Sequence, residues 1–203
     1  MAIFNLAADT AVFTSNTYLA VEGPRTLVDP GAIPGVVDAI RERIPALDAV
    51  VLTHQHDDHV AQLDSVVAAF DPAVYAYADH PLRTDPIEDG DSIQIGAEAF
   101  TAVHTPGHAD DHVAFVSETT LFSGDLVVYD DGAFTGGSFG RTDGPGQSRS
   151  TLIESIDRLL DRLPASVEYL YAGHGGPFQG DVRSIVTRAL ERAERREPKY
   201  PEE

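Results

Sequence analysis

At 203 residues the chain can form one domain with a full core, and 42% hydrophobic with 23% charged content is ordinary for a soluble globular protein. Cysteine is absent, which excludes disulfides, thiolate catalysis and sulfur ligation of a metal. A net charge of -19, from 33 acidic against 14 basic residues, argues against nucleic-acid partners, because phosphate would be repelled at long range.

The first thirty residues read as short strands, Ala2 to Ala7, Thr17 to Val21 and Thr26 to Val28, with Glu22-Gly23-Pro24 as a hairpin turn and Asp29-Pro30-Gly31 closing the third. A helix is predicted from about Pro34 to Ile44, with Val36, Val37, Ile40 and Ile44 on one face. Asp48 to Leu52 reads as a buried strand that delivers the loop Thr53-His54-Gln55-His56-Asp57-Asp58-His59. Val60 to Phe70 has helical spacing and stops at Asp71-Pro72. Ala73 to Ala78 is a strand, and the polar stretch with Pro81, Pro86 and Gly90 a loop with one short helical turn. Strands follow at Ser92 to Ile95, Ala99 to His104, His112 to Val116 and Thr119 to Ser123. Glycine is dense between Tyr129 and Gln147, which predicts a long loop, and such a loop in a compact domain usually has a function. A helix is expected from near Thr151, with Thr151 and Glu154 as a capping box and Leu152, Ile156, Leu159, Leu160 and Leu163 as its buried stripe. Val167 to Tyr171 is the last strand. The final helix starts at about Asp181, buries Val182, Ile185, Val186, Ala189 and Leu190, and ends at the basic group Arg192, Arg195 and Arg196 before Pro198. That group reads as a solvated helix end, with anion binding the alternative. The alternation of strands and helices predicts a mixed α/β protein with a single domain over 1–203.

The acidic residues are spread along the chain rather than gathered in a tail, and Lys199 is the only lysine. Such a surface stays hydrated in concentrated salt, so a halophilic protein is expected. No apolar run approaches the length of a membrane span. Met1 to Leu6 has neither a basic start nor a small-residue cleavage pattern, so a cytoplasmic location is expected. These features do not set the oligomeric state.

Four places share one pattern, in which a buried strand ends, glycine or a threonine follows, and a metal-type donor stands at the break. They are Leu52-Thr53-His54, Thr105-Pro106-Gly107-His108, Phe122-Ser123-Gly124-Asp125 and Ala172-Gly173-His174. Imidazole and carboxylate are ligands that zinc and similar divalent ions take. The donors number seven: His54, His56, Asp58, His59, His108, Asp125 and His174. That is too many for one tetrahedral zinc with an open position, and it suits two metals sharing a bridging carboxylate. A polar turn that happens to be rich in histidine is the plain alternative for the first loop, and the three downstream donors argue against it.

His54-x-His56-x-Asp58-His59, followed by Thr105-Pro106-Gly107-His108, Gly124-Asp125 and Gly173-His174-Gly175, resembles the metallo-β-lactamase superfamily in motif and order. The resemblance implies a four-layer αββα sandwich with the metals at one edge. On that pattern His54, His56 and His108 hold one ion, Asp58, His59 and His174 hold the second, and Asp125 bridges them. Two divalent cations are implied, zinc first, with iron or manganese as alternatives. Gly137-Ser138-Phe139-Gly140-Arg141-Thr142-Asp143 is similar to a loop in small glyoxalase II-like hydrolases, which cleave glutathione thioesters, and in persulfide dioxygenases, which use one iron. Thr105 to His112 also resembles a branch of single-strand ribonucleases. The chain runs only one helix beyond His174, where glyoxalase II carries a further helical domain that grips glutathione, and it has Val60-Ala61-Gln62 where that family tends to have glycines. Both departures bear on the thiol carrier and not on the metal chemistry.

The function implied is binuclear-metal hydrolysis of a small thioester, ester or lactone by a metal-bound hydroxide, with Asp58 orienting the nucleophile. Two metals lower the pKa of bound water from about 15.7 to about 7. The alternatives are a mononuclear iron persulfide dioxygenase using His54, His108 and Asp125, and a ribonuclease, which the charge disfavours. Arg141 is a candidate for gripping an anionic substrate, or a salt-bridge partner of Asp143 or Asp125. His112 either supports a ligand or simply packs, His104 reads as a packed residue, and His80 as a surface one.

Overall fold

Short apolar runs at the N-terminus pair as an antiparallel meander in the computed structural model, which describes residues 1–132 and 134–196. β1 (Ile3–Asn5), β2 (Tyr18–Ala20) and β3 (Thr26–Val28) lie side by side, with Tyr18 opposite Val28 and Ala20 opposite Thr26. From β3 the pairing turns parallel, through β4 (Ala49–Val51) and β5 (Ala73–Ala76) to the two-residue β6 (Asp85–Pro86). Parallel neighbours need crossovers, which helices supply. α1 (Val36–Arg41) joins β3 to β4, while α2 (Asp57–Val60) and α3 (Leu63–Phe70) join β4 to β5. Leu19, Leu27, Ile40, Val50, Leu52, Leu63, Val66 and Val74 make one buried cluster. At the entry to β4 the exposed Asp48 carboxylate accepts from the backbone N–H, Nε and Nη2 of Arg25 at 2.7, 2.8 and 2.7 Å. β7 (Ser92–Ile95) ends this first compact unit, which spans Met1–Phe100.

β8 (Glu98–His104) carries the chain into the second unit, from Thr101 onward. There β9 (Val113–Val116), β10 (Thr120–Gly124), β13 (Tyr169–Ala172) and β14 (Phe178–Gln179) complete the order β14-β13-β10-β9-β8. In this sheet β10 and β13 pair in parallel, with Leu121 opposite Leu170, while β13–β14, β10–β9 and β9–β8 are antiparallel. Their crossover holds a hairpin, β11 (Val127–Asp130) with β12 (Thr135–Phe139), and α4 (Arg149–Arg162). α5 (Val182–Glu194) follows β14. Phe139, Leu152, Ile156, Leu159, Leu170, Val182, Val186 and Ala189 form the buried cluster of this unit. Among the described residues no helix is long and apolar enough to cross a membrane.

Several expectations are corrected. The stretch from Tyr129 to Gln147 is not one loop, because Thr135-Gly136-Gly137-Ser138-Phe139 is a strand of the hairpin. Alternation is missing because α5 lies against it: a Cβ on Gly137 (φ +119°) would stand 2.6 Å from the Ile185 carbonyl oxygen. Arg188 donates to the Gly136 carbonyl (2.8 Å) and Arg192 to those of Gly137 and Thr135, so Arg192 ties helix to hairpin instead of standing in solvent. The helix expected over Val60 to Phe70 is two, and Asp57–Val60 already belongs to the first, so the histidine loop is partly helical. α4 starts at Arg149, not Thr151, and its cap is Ser148, whose hydroxyl accepts the Thr151 N–H at 3.2 Å. β6 and β14 were not expected; Pro86 fits an edge strand, where no ladder donor is needed. α5 starts beside Asp181 as expected, and the Asp181 carboxylate caps it by accepting the Ser184 N–H at 3.1 Å, while Pro198 lies outside the described residues.

Candidate metal centre

In the first unit the donors follow from how β4 ends. Val50, Val51 and Leu52 are buried, so the strand cannot continue into polar residues without a turn, and Thr53 and His54 are still buried at that turn. His56 then caps the short α2, which carries Asp58 and His59 on its first turn. His54 Nε2 stands 3.1 Å from His56 Nδ1, and the His54 and His59 rings lie 4.0 Å apart between centroids. The Ser15 N–H donates to the Asp58 carbonyl (3.0 Å) and the Gly31 N–H to that of His59 (2.8 Å), which pins the turn.

Beneath them sits Asp29, to which the residue string assigned no role beyond closing a strand. It is 2% exposed and has φ +54°, and its carboxylate accepts from Thr53 N–H (2.8 Å), Thr53 Oγ1 (2.6 Å) and His59 Nδ1 (2.8 Å). The carboxylate holds the Nδ1 proton of His59, so Nε2 is the ring's lone-pair nitrogen. Thr53 Oγ1, having given its hydrogen to Asp29, is an acceptor for His54 Nδ1 at 3.2 Å, which leaves Nε2 of that ring as the lone-pair nitrogen too. The available signal was an acid directly after an all-buried strand, since a buried carboxylate survives only when it is hydrogen-bonded.

In the second unit the parallel pairing of β10 and β13 places two strand ends together, and the Gly173 N–H donates to the Gly124 carbonyl at 2.8 Å. Asp125 and His174 therefore emerge side by side, with His174 Nε2 3.5 Å from Asp125 Oδ2. His108 Nε2 approaches the same oxygen at 3.3 Å from the turn after β8. Its Nδ1 donates to the Arg141 carbonyl at 2.9 Å, which selects the tautomer with the lone pair on Nε2. Gly140 lets this happen: a Cβ there would collide with the Asp125 carbonyl oxygen and crowd His108 Nδ1 at 2.9 Å. Gly107, at φ +130°, does the same on the other side, because α4 packs directly on it at Leu152.

The donor chemistry fits divalent cations. Two donors of a tetrahedral zinc with bonds of about 2.0–2.1 Å stand about 3.3 Å apart. The separations within the clusters are 3.1, 3.3 and 3.5 Å. His112 is not among the donors, since both its ring nitrogens are hydrogen-bonded, to Thr105 Oγ1 and to the Asp125 N–H. The His104 ring donates to the Asp110 carbonyl at 2.8 Å, and His80 Nδ1 accepts the Leu82 N–H at 3.1 Å. The Arg141 side chain, 60% exposed, pairs with Asp143 through Nε (3.0 Å) and Nη2 (2.6 Å), which holds that exposed carboxyl below its ordinary value.

The family model described as metallo-beta-lactamase superfamily matches residues 10–84 and 75–174. The chain is 32% identical over 151 residues to a hydroxyacylglutathione hydrolase of Hydrogenovibrio crunogenus, a match that covers 72% of this chain and 54% of that protein. It spans about half the length of the first curated relatives it matches. Among solved structures, ETHE1 from Myxococcus xanthus superposes with a TM-score of 0.76 at 22% identity, covering 95% of this chain and 84% of that one, and so shares the fold. TTHA1623, solved in a di-iron-bound form, has a TM-score of 0.68 at 29% identity, covering 88% and 98%. With the family model matched over most of its length, the chain belongs to the metallo-β-lactamase superfamily and has its α/β fold.

Proposed function

We propose that the chain is a binuclear metal-dependent hydrolase of a small thioester, or of a related ester or lactone, with its two units working as one domain. His54, His56 and His108 would hold one ion, Asp58, His59 and His174 the other, and Asp125 would bridge them. The observation that carries the reading is the fixed tautomer of His59 and His108, whose Nδ1 protons go to the Asp29 carboxylate and the Arg141 carbonyl. Both rings are buried, and each is set to offer Nε2 to a cation. The di-iron form of TTHA1623 supports a two-metal centre, and the names of the curated relatives support a thioester substrate. Zinc is the proposed metal, with iron or manganese as alternatives.

Bound divalent ions would lower the pKa of a coordinated water and take up charge on an acyl oxygen. Asp58, on a turn that the Ser15 N–H holds in place, would orient that water as well as help to hold an ion. A thiol of pKa about 8.5 leaves as the thiolate without a dedicated acid. Arg141 would exchange Asp143 for a carboxylate of the substrate, a geometry its planar fork suits.

Protein purified without added metal should carry close to two equivalents and cleave an acyl thioester in the absence of oxygen. His59→Ala should lose most of that rate, and Asp125→Ala should lose tight binding of both ions. Oxygen uptake with a persulfide, kept in His59→Ala and absent with zinc, would instead establish a mononuclear iron dioxygenase.

A further inference from the structure

We infer that His112 is a positioning residue for the metal centre, acting through the backbone of Asp125. The inference rests on the metal-centre reading above. β10 breaks its register between Phe122 and Gly124, and Gly124 takes φ +48° to start a tight turn. That turn takes Asp125 past the last ladder pair, Gly124 with Ala172, while keeping the residue 6% exposed, so its N–H needs an acceptor inside the protein. Nε2 of His112 accepts that N–H at 3.0 Å. An acceptor on Nε2 requires a neutral ring with its proton on Nδ1, and Thr105 Oγ1 takes that proton at 2.8 Å. The Thr105 hydroxyl hydrogen has its own acceptor in the His112 carbonyl at 3.5 Å, and the Thr105 backbone N–H donates to the same carbonyl at 2.8 Å. Every proton in this chain is therefore directed one way, from Asp125 N–H to His112 to Thr105.

The His112 ring is fully buried and both of its nitrogens are hydrogen-bonded, so its orientation is held and neither nitrogen is left to serve as a direct ligand. What it fixes is the origin of the Asp125 side chain. One carboxylate placed between two cations has to meet both within a few tenths of an ångström, and a buried ring gripping its backbone is a stiffer anchor than the turn alone. The same Thr105 opens the segment that carries His108, so one threonine sets the register of two donors in this unit. The motif Thr105-Pro106-Gly107-His108-Ala109-Asp110-Asp111-His112 thus holds a ligand and the support of another ligand, four residues apart.

The test compares His112→Leu, His112→Gln and Thr105→Val by competition of Zn(II) against a chromophoric chelator, with melting in excess EDTA as a control. Cobalt(II) spectra of the loaded proteins report ligand geometry independently of activity. His112→Leu should weaken zinc binding by about 10–100-fold. His112→Gln, whose carbonyl oxygen can accept the Asp125 N–H, should recover most of it and restore the cobalt bands. Thr105→Val keeps the ring and loses the tautomer control, so it should fall between them, and it serves if His112→Leu does not fold. Equal zinc affinity in wild type and His112→Leu would overturn the inference and leave the binuclear reading intact. Equal loss in Leu and Gln variants, tracking a fall in EDTA melting temperature, would make His112 an ordinary core residue. Wild type that binds no divalent metal would overturn the metal-centre reading and this inference with it.

Discussion

Asp29 is the residue on which the first cluster rests. Its three buried hydrogen bonds come from Thr53 twice and from His59. A buried donor left without an acceptor costs about 1–3 kcal/mol. Alanine also tolerates φ near +54° less well than aspartate or asparagine. Asp29→Ala should therefore destabilise the protein by about 3 kcal/mol or more, and Asp29→Asn by less, because asparagine accepts the left-handed backbone and keeps one oxygen. Urea unfolding in excess chelator measures this apart from metal affinity. A loss below about 1 kcal/mol for Asp29→Ala would show that the network is dispensable.

At the scale of elements, two local devices can be read separately. The N-cap of α4 is Ser148, held extended because its N–H donates to the Gly107 carbonyl at 2.8 Å. Ser148→Ala should cost about 0.5–2 kcal/mol, and Thr151→Ala about 0.5 kcal/mol or less. Chemical denaturation of both variants decides it, and the reverse order would return the cap to Thr151. The second device is the Arg25–Asp48 clamp across the starts of β3 and β4. Hydrogen bonds from Arg25 lower the Asp48 pKa below its ordinary value. A lowered carboxyl contributes stability above its unfolded pKa of about 3.9, and that stability is lost as pH falls through the folded value. Asp48→Asn should then melt below wild type at pH 7, with the gap closing as pH falls below about 4. A gap that stays constant from pH 7 to pH 3 would show that the charge is not what Asp48 contributes.

For the whole molecule the net charge of -19 sets the electrostatics. Self-repulsion among spread carboxylates is screened over about 10 Å at 0.1 M salt and about 3 Å at 1 M. The melting temperature should climb steadily from dilute buffer to molar potassium chloride, with the metal content held constant. A curve flat across that range would defeat the reading of this composition as an adaptation to salt.

What could be read from the sequence alone was local. Donors at strand ends show in the residue string because an apolar run, a break and a ligand type are neighbours in the chain, as at Leu52-Thr53-His54 and Ala172-Gly173-His174. The stripes of α3, α4 and α5 were legible for the same reason, since helical period is a property of a few turns. Tertiary structure decided what depends on partners far along the chain. Thr135–Phe139 became a strand because its glycines admit α5, although its own residues show no alternation. The cap of α4 fell on Ser148 because Gly107, some forty residues earlier, takes its N–H. Asp29 met Thr53 and His59, and His112 met Thr105 and Asp125, only when folding brought them together. A hydrogen bond is directional and short, so which distant donor meets which acceptor is fixed by packing and not by spacing along the chain.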